Sequence, residues 1–262
     1  MIYLGKKSYP YMEEVNDGIV REFQRFLPST GRALDVGCGR AALGAAIREL
    51  GWEVWGIEQS AEACETARTR LDGVIEADLH DSVRVRAGVD GKAFDALIFS
   101  DVLEHVYDPL HTLESYLSFL RPGGSLLVSV PNAVVWTNRL QWFFGRVRYA
   151  DTGIMDRTHV RFFTFRTARE LVAAAGCEVS HVSSTPYLAR AMLPLVKRAL
   201  PRKESDSRPD PRALIESRAY QCYMRYVYPL ERAVASLWPT MLAFRIVVRG
   251  TKLANVNGGA AP

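Results

Sequence analysis

In the stretch Leu34-Asp35-Val36-Gly37-Cys38-Gly39-Arg40-Ala41-Ala42-Leu43-Gly44 a short apolar run stops at two glycines and a helix-forming segment begins. The order is strand, tight turn, helix. Gly37 and Gly39 carry no Cβ, so they accept backbone angles that other residues resist and let a ligand lie directly against the main chain. The helix that starts near Ala41 offers unpaired amides and the positive end of its dipole to an anionic group. A chain organised around such a junction holds a nucleotide-type ligand.

Gly37, Gly39 and Ala42 also satisfy the G-x-G-x-x-A pattern of dinucleotide sites, which keeps an NAD(P)-dependent oxidoreductase or epimerase as an alternative. Asp35 favours a different ligand. A carboxylate two residues before the turn repels a diphosphate but suits a molecule that carries an ammonium and a sulfonium. S-adenosylmethionine is such a molecule, and its carboxylate still matches the helix start.

At 262 residues and 48% hydrophobic, the chain can bury a full core as one domain with an appended or inserted subdomain. Cys38, Cys64, Cys177 and Cys222 are scattered without a C-x-x-C pair, so neither a disulfide framework nor a zinc site is expected. No metal ligand set is expected elsewhere, because His80, His111 and His181 lack metal spacing. Residues 1–10 have no apolar signal core, and no run approaches the ~20 apolar residues of a membrane span. A cytoplasmic protein is the expectation. The net charge of +4 is uneven: residues 186–262 hold 13 Lys and Arg against 5 Asp and Glu, a net +8 set against −4 in the rest. Such asymmetry fits either an anionic partner or a solvated basic face.

Hydrophobic periodicity predicts a leading amphipathic helix over 13–26, with Val15, Ile19, Val20, Phe23 and Phe26 on one side. Strands are predicted at 33–36, 53–57, 73–76, 94–99, 125–130, 178–184 and 241–248. Helices are predicted at 42–50, 61–71, 109–120 and 167–175, the second capped by Ser60. This alternation implies an α/β, Rossmann-like, doubly wound sheet of seven strands, mostly parallel with an antiparallel last strand, plus a helical cap and insert. The core spans 1–185 and 241–252. An aromatic acceptor cap occupies 134–165, a basic helical insert 186–240, and a disordered tail 253–262.

Five blocks, in this order, then resemble the class I S-adenosylmethionine-dependent methyltransferases. They are Leu34-Asp35-Val36-Gly37-Cys38-Gly39; Gly56-Ile57-Glu58; Glu76-Ala77-Asp78-Leu79; Phe94-Asp95 with Ser100-Asp101-Val102-Leu103-Glu104-His105-Val106; and Leu120-Arg121-Pro122-Gly123-Gly124. The resemblance runs over residues 33–249. One departure stands out: Ala41 replaces the third glycine usual in the family. The segment 148–164, with Leu237-Trp238-Pro239, is similar to methyltransferases associated with glycan and secondary-metabolite pathways. The ubiquinone-type O-methyltransferases are similar only in the cofactor half.

The resemblance implies that Gly37, Cys38 and Gly39 contact the methionyl part of the cofactor and that Asp35 holds its amino end. It implies that Glu58, with Gln59 beside it, accepts from the ribose hydroxyls, a carboxylate being suited to two adjacent donors. Asp78 accepts from the adenine amino group while the Leu79 amide donates to the ring. Ser100 and Asp101 line the cleft under the sulfonium.

Methyl transfer is a direct displacement, driven mostly by in-line positioning. A hydroxyl acceptor must also lose a proton, and His is the side chain best suited to take it near neutral pH. His159 is the first candidate, oriented by Asp156, and His105 the second. Each can instead pin or cap a loop. The aromatics Trp136, Trp142, Phe143, Phe144, Phe162, Phe163 and Phe165 either stack on an acceptor or form the core of the cap. The expected reaction is O-methylation of a sugar, a glycan-linked or another hydroxylated small molecule. No nucleic-acid partner is expected. Residues 186–200 of the insert are the candidates for peripheral membrane contact or a homodimer contact. A catalytically silent methyltransferase-like binding subunit is the remaining alternative.

Overall fold

In the computed structural model, which describes residues 15–187 and 222–253, side-chain alternation builds a sheet covered on both faces. Along β1 (Arg32–Val36), Leu34 and Val36 enter one apolar cluster and Ala33 the opposite one. The period of two recurs along β4 (Phe94–Ser100), where Leu97 and Phe99 lie on the first face and Ala96 and Ile98 on the second. The first face is closed by α4 (Ser82–Val89), α5 (Pro109–Leu117) and α7 (Phe165–Ala174), through Val85, Leu113 and Val172. The second is closed by α1 (Asp17–Phe26), α2 (Ala42–Arg48) and α3 (Ala61–Arg68), through Phe23, Ile47 and Ala67.

The remaining strands are β2 (Glu53–Glu58), β3 (Gly73–Glu76), β5 (Leu120–Pro131), β6 (Cys177–Pro186) and β7 (Ala243–Lys252). The seven-stranded sheet has the order β3-β2-β1-β4-β5-β7-β6, and β7 runs antiparallel to both its neighbours. From β1 the chain moves outward through β2 and β3, then returns to place β4 on the other side of β1. Strand order therefore reverses between β1 and β4, and a ligand crevice opens beyond their carboxyl ends.

The fold class agrees with the sequence expectation, but one helix is added and several boundaries move. Helix α4 is not foreseen, because Ser82–Val89 shows little amphipathic pattern; Asp81 starts it by accepting from the Arg84 amide at 3.0 Å. Helix α5 ends at Leu117 rather than at residue 120. Strand β5 already pairs at Leu120 with Phe94, and the register shifts between Phe94 and Ala96. The last strand starts at Ala243, since Pro239–Leu242 forms the short helix α9.

The cap carries α6 (Trp136–Phe143) followed by a loop, and a π-helical turn, Tyr223–Val227, leads into α8 (Tyr228–Leu237). The Tyr228 hydroxyl reaches the Asp17 carboxylate, joining α8 to α1. The expectations for residues 1–10, for the tail 254–262 and for most of the basic insert, including its membrane and dimer contacts, lie outside the described residues. Among the described residues no helix is long and apolar enough to cross a membrane.

Gly56 lies mid-strand in β2, in register with Asp35 on β1 and Val74 on β3. A Cβ there would stand 2.5 Å from Cys38 Sγ and 2.7 Å from Leu71 Cδ1. Gly56→Ala should lower stability in urea denaturation by about 1–3 kcal/mol, the range for overpacking a filled core. Adding Cys38→Ala should recover part of the loss. Full stability of the single variant would show that the turn has room to move.

Candidate functional site

The turn between β1 and α2 is bound to the end of β2. The Gly37 and Cys38 amides both donate to the Ile57 carbonyl, at 2.8 and 3.0 Å, and the Gly39 amide donates to Glu58 Oε2 at 3.0 Å. Meeting these acceptors requires left-handed backbone at Gly37 (φ 74°) and Gly39 (φ 55°). Ala41 also takes this conformation, with φ 61° and ψ 35°, in the position where the family usually has glycine. Its methyl group is fully buried in the α1–α2–α3 cluster. At Gly37 a Cβ would stand 2.7 Å from Val102 Cγ2, so the turn and the start of the segment after β4 touch directly.

Beyond this turn lies a cavity of about 610 Å³. Its floor is made by Asp35, the turn residues Gly37 to Gly39, Ser100 and Asp101, and its far wall by Glu104, His105, Asp156 and His159. Asp35 is buried, and burial, reinforced by the Glu58 charge, pushes its carboxyl up to about 7. Among the described residues no positive side chain offsets this shift. Burial pushes the Cys38 thiol far up, with the Asp35 and Glu58 charges adding to it, which removes Cys38 as a nucleophile.

Not every predicted cofactor residue faces this cavity. Glu58 is buried behind the turn, where its Oε1 accepts from the Ser60 amide at 2.8 Å. Gln59 and Asp78 are exposed, and Asp78 Oδ1 accepts from the His80 amide at 2.8 Å. Leu79 lines a separate 130 Å³ pocket beside α4 and α5, and its carbonyl accepts from the Tyr116 hydroxyl at 2.9 Å. These four residues lie along the carboxyl ends of β2 and β3, away from the far wall.

A polar chain missed by the sequence reading crosses the cavity floor. Asn16, the N-cap of α1, donates from Nδ2 to Ser100 Oγ at 3.0 Å and to Ser129 Oγ at 2.8 Å. Ser129 Oγ donates to Asp101 Oδ1 at 3.3 Å, and Arg245 Nε donates to Asp101 Oδ2 at 2.6 Å. Asp101 itself is left-handed (φ 56°), a strain held by these partners. The available signal was Arg245, a charge inside the apolar run Phe244-Arg245-Ile246 of the last strand.

On the far wall the cap loop is fastened to the 3-10 turn Leu103–His105: the Val160 and Arg161 amides donate to the Glu104 carbonyl at 2.8 and 3.0 Å. The expected pairing of Asp156 with His159 needs correction. Asp156 Oδ1 accepts from the Thr158 amide and hydroxyl, at 2.8 and 2.7 Å, while His159 Nδ1 lies 3.0 Å from the Ile154 carbonyl. A side chain two residues ahead of Thr158 closes a tight local turn, which draws the carboxylate away from the ring. A carbonyl can only accept, so His159 Nδ1 carries the hydrogen and Nε2 is left as the basic atom. Burial pulls the His159 and His105 imidazoles below their usual range, so both are neutral near pH 7. The two rings meet edge to face with centroids 4.8 Å apart. Glu104 is buried, and burial, reinforced by the charge on Asp101, pushes its carboxyl well up.

The aromatic cluster is also redistributed. Phe163 is core, Trp136 packs beside Val135 and Ile154, and Phe143 and Phe144 are exposed. Among the described residues, the aromatics lining the cavity are Tyr149, Tyr187 and Phe244. The sequence shows which residues are aromatic but not the helix rotation that sorts them.

Residues 11–182 match the family described as a methyltransferase domain. A ubiquinone biosynthesis O-methyltransferase of Xanthomonas campestris pv. campestris (strain B100) is 38% identical over 103 residues, 38% of this chain and 43% of that protein. One from Proteus mirabilis (strain HI4320) is 29% identical over 135 residues, 51% of this chain and 50% of that protein. The chain thus spans about half or less of these relatives. Among solved structures, a SAM dependent methyltransferase from Archaeoglobus fulgidus has a TM-score of 0.54 at 14% identity, covering 93% of this chain and 96% of that one. The magnesium protoporphyrin IX methyltransferase of Synechocystis PCC 6803, solved with bound SAH, has a TM-score of 0.54 at 12% identity, covering 90% and 81%. At such identities the structures share the fold.

The Asp35 carboxyl titrates near 3.8 in an unfolded chain and at about 7 in the fold. The folded state therefore binds this proton more tightly, and the stabilisation it carries is present at acid pH and lost as pH rises through about 7. The urea stability of the ligand-free protein should fall across about pH 4–7 by more than that of Asp35→Asn. Parallel pH profiles for the two proteins would remove Asp35 as a buried titrating group.

Proposed function

Because this chain belongs to the class I S-adenosylmethionine-dependent methyltransferases, we propose that it methylates a hydroxyl oxygen of a small acceptor bound in the 610 Å³ cavity. S-adenosylmethionine is the cofactor, and when bound it supplies a methyl group on a positively charged sulfur. The residues present suit it: a glycine turn open to close backbone approach, and beside it a buried carboxylate with no cation to neutralise it among the described residues. A diphosphate would meet repulsion there, which argues against the oxidoreductase alternative.

In this reading Asp35 holds the cofactor's amino group in its ionised form, and Gly37, Cys38 and Gly39 pack against the methionyl part. Glu58, with Gln59, takes the ribose hydroxyls, while Asp78 and Leu79 take the adenine. Ser100 and Asp101 border the reacting centre, and the acceptor lies between them and the far wall.

The observation that carries the acceptor chemistry is His159. Its Nδ1 is tied to the Ile154 carbonyl and its neutral ring borders the cavity, so Nε2 can take the acceptor's proton as the oxygen attacks. His105 backs it from the side and Asp156 shapes the loop that carries it. A carboxylate or amine acceptor would need no such group. The X. campestris and P. mirabilis relatives are named O-methyltransferases, which supports oxygen. The 148–164 block supports a sugar, glycan-linked or similarly hydroxylated molecule as acceptor.

Calorimetry with S-adenosylmethionine and S-adenosylhomocysteine tests the cofactor roles. Asp35→Asn and Glu58→Ala should each weaken binding about 10-fold or more, as expected for losing a hydrogen bond to a charged group. Unchanged affinity in both would refute these assignments. On a panel of hydroxylated acceptors, followed by the mass gain of one methylene, His159→Ala should lower turnover about 10²–10⁴-fold with cofactor affinity intact. Undiminished turnover would make His159 a loop anchor. No turnover by the unmodified protein on any acceptor would favour a silent binding subunit.

A further inference from the structure

We propose that Glu104, His105 and His159 form a binding site for one divalent first-row transition cation on the acceptor wall of the cavity. One carboxylate oxygen and one nitrogen from each imidazole lie within 4.8 Å of one another. The three side chains come from two segments, the turn after β4 and the cap loop. The Val160 and Arg161 amides clamp these segments together on the Glu104 carbonyl.

Two details point to a cation rather than to a hydrogen-bonded cluster. His159 Nε2 and Glu104 Oε1 are 3.9 Å apart, too far for a hydrogen bond. Two donors at about 2.0–2.2 Å from one ion span at most about 4.4 Å, so this pair is within reach of a shared ion once the side chains draw in slightly. Glu104 Oε2 is buried and, among the described residues, has no hydrogen-bond partner, although Glu104 borders the cavity. An orphaned buried carboxylate oxygen is a standing energetic penalty, and a cation removes it.

The surroundings match the outer shell of a metal centre. His159 Nδ1 is held by the Ile154 carbonyl at 3.0 Å, and His105 Nδ1 lies 3.3 Å from the Thr158 carbonyl. Such carbonyl contacts orient a ligating imidazole and fix its tautomer. Two imidazoles with one carboxylate select zinc, cobalt, manganese or ferrous iron over magnesium or calcium. Three protein ligands leave at least one position open, and here the cavity lies beside it.

This inference rests on reading the cavity as the acceptor site and supplies a second route for loss of the proton. An acceptor hydroxyl on the open position is acidified by the ion, as metal-bound water is lowered from 15.7 to about 7. Its O–H bond breaks, the proton passes to solvent water, and His159 serves as a ligand instead of a base. The oxygen then forms a bond to the methyl carbon as the carbon–sulfur bond breaks, its electron pair leaving on sulfur.

The untagged chain, stripped with a chelator and desalted, is titrated with Co²⁺ while its visible ligand-field absorption is recorded. A band that saturates at one equivalent and is bleached by Zn²⁺ is expected. Glu104→Gln and His159→Ala should each weaken Co²⁺ binding by 100-fold or more while S-adenosylhomocysteine binding, measured by calorimetry, persists as the check on folding. Absence of a saturable band in the unmodified protein overturns the site, as does a band that survives in both variants. S-adenosylhomocysteine binding without any cobalt band would sink the metal site and leave the methyltransferase reading standing. A cobalt band without methylation of any acceptor would do the reverse.

Discussion

Three consecutive amides, those of Gly37, Cys38 and Gly39, fold back onto the end of β2 through the Ile57 carbonyl and the Glu58 carboxylate. Everything functional depends on this closure. It ties the β1–α2 turn to the end of β2, beside the crevice that opens where strand order reverses between β1 and β4, and it goes with the left-handed angles that place bare backbone there. Side chains then fill the space the glycines leave: Val102 against Gly37, and Cys38 with Leu71 over Gly56. Ala41 adopts the same left-handed angles at a penalty of about 1–2 kcal/mol. Its fully buried methyl group offsets part of that.

The rest of the site is held by polar groups that burial obliges to find partners. Asn16, Ser100, Ser129, Asp101 and Arg245 come from α1, β4, β5 and β7, so their hydrogen bonds couple four elements at the cavity floor. Opposite them, the Glu104 carbonyl gathers the cap loop through Val160 and Arg161. The cavity is thus the gap between two fastened walls, one made by the sheet and one by the cap.

How much could be read beforehand depends on the range of the interaction. The sheet was legible from β and α periods, and the turn from Gly37 and Gly39, because both express local backbone geometry. Helix α4 was not, since its surface carries little apolar pattern and it is placed by Asp81 and by packing of Val85 and Val89. His159 and His105 were legible as candidates by residue type. Their partners were not: Asp156 turns to Thr158, and the Ile154 carbonyl takes the ring. Nor could the aromatics of the cap be sorted, because the rotation of α6 leaves Phe143 outside while the chain reversal puts Phe163 inside.

By itself, then, the sequence determined the alternating α/β architecture and the glycine turn with its neighbouring acidic residue, which favours a cationic adenosyl ligand over a diphosphate. Tertiary structure alone decided that Arg245 would meet Asp101 across 144 positions, and that Glu104 and His159 would face each other in one buried wall. Periodicity and turn chemistry act between near neighbours, so they are written in short words along the chain. Desolvation acts on whichever groups the finished fold encloses together, and that enclosure exists only after the sheet has closed.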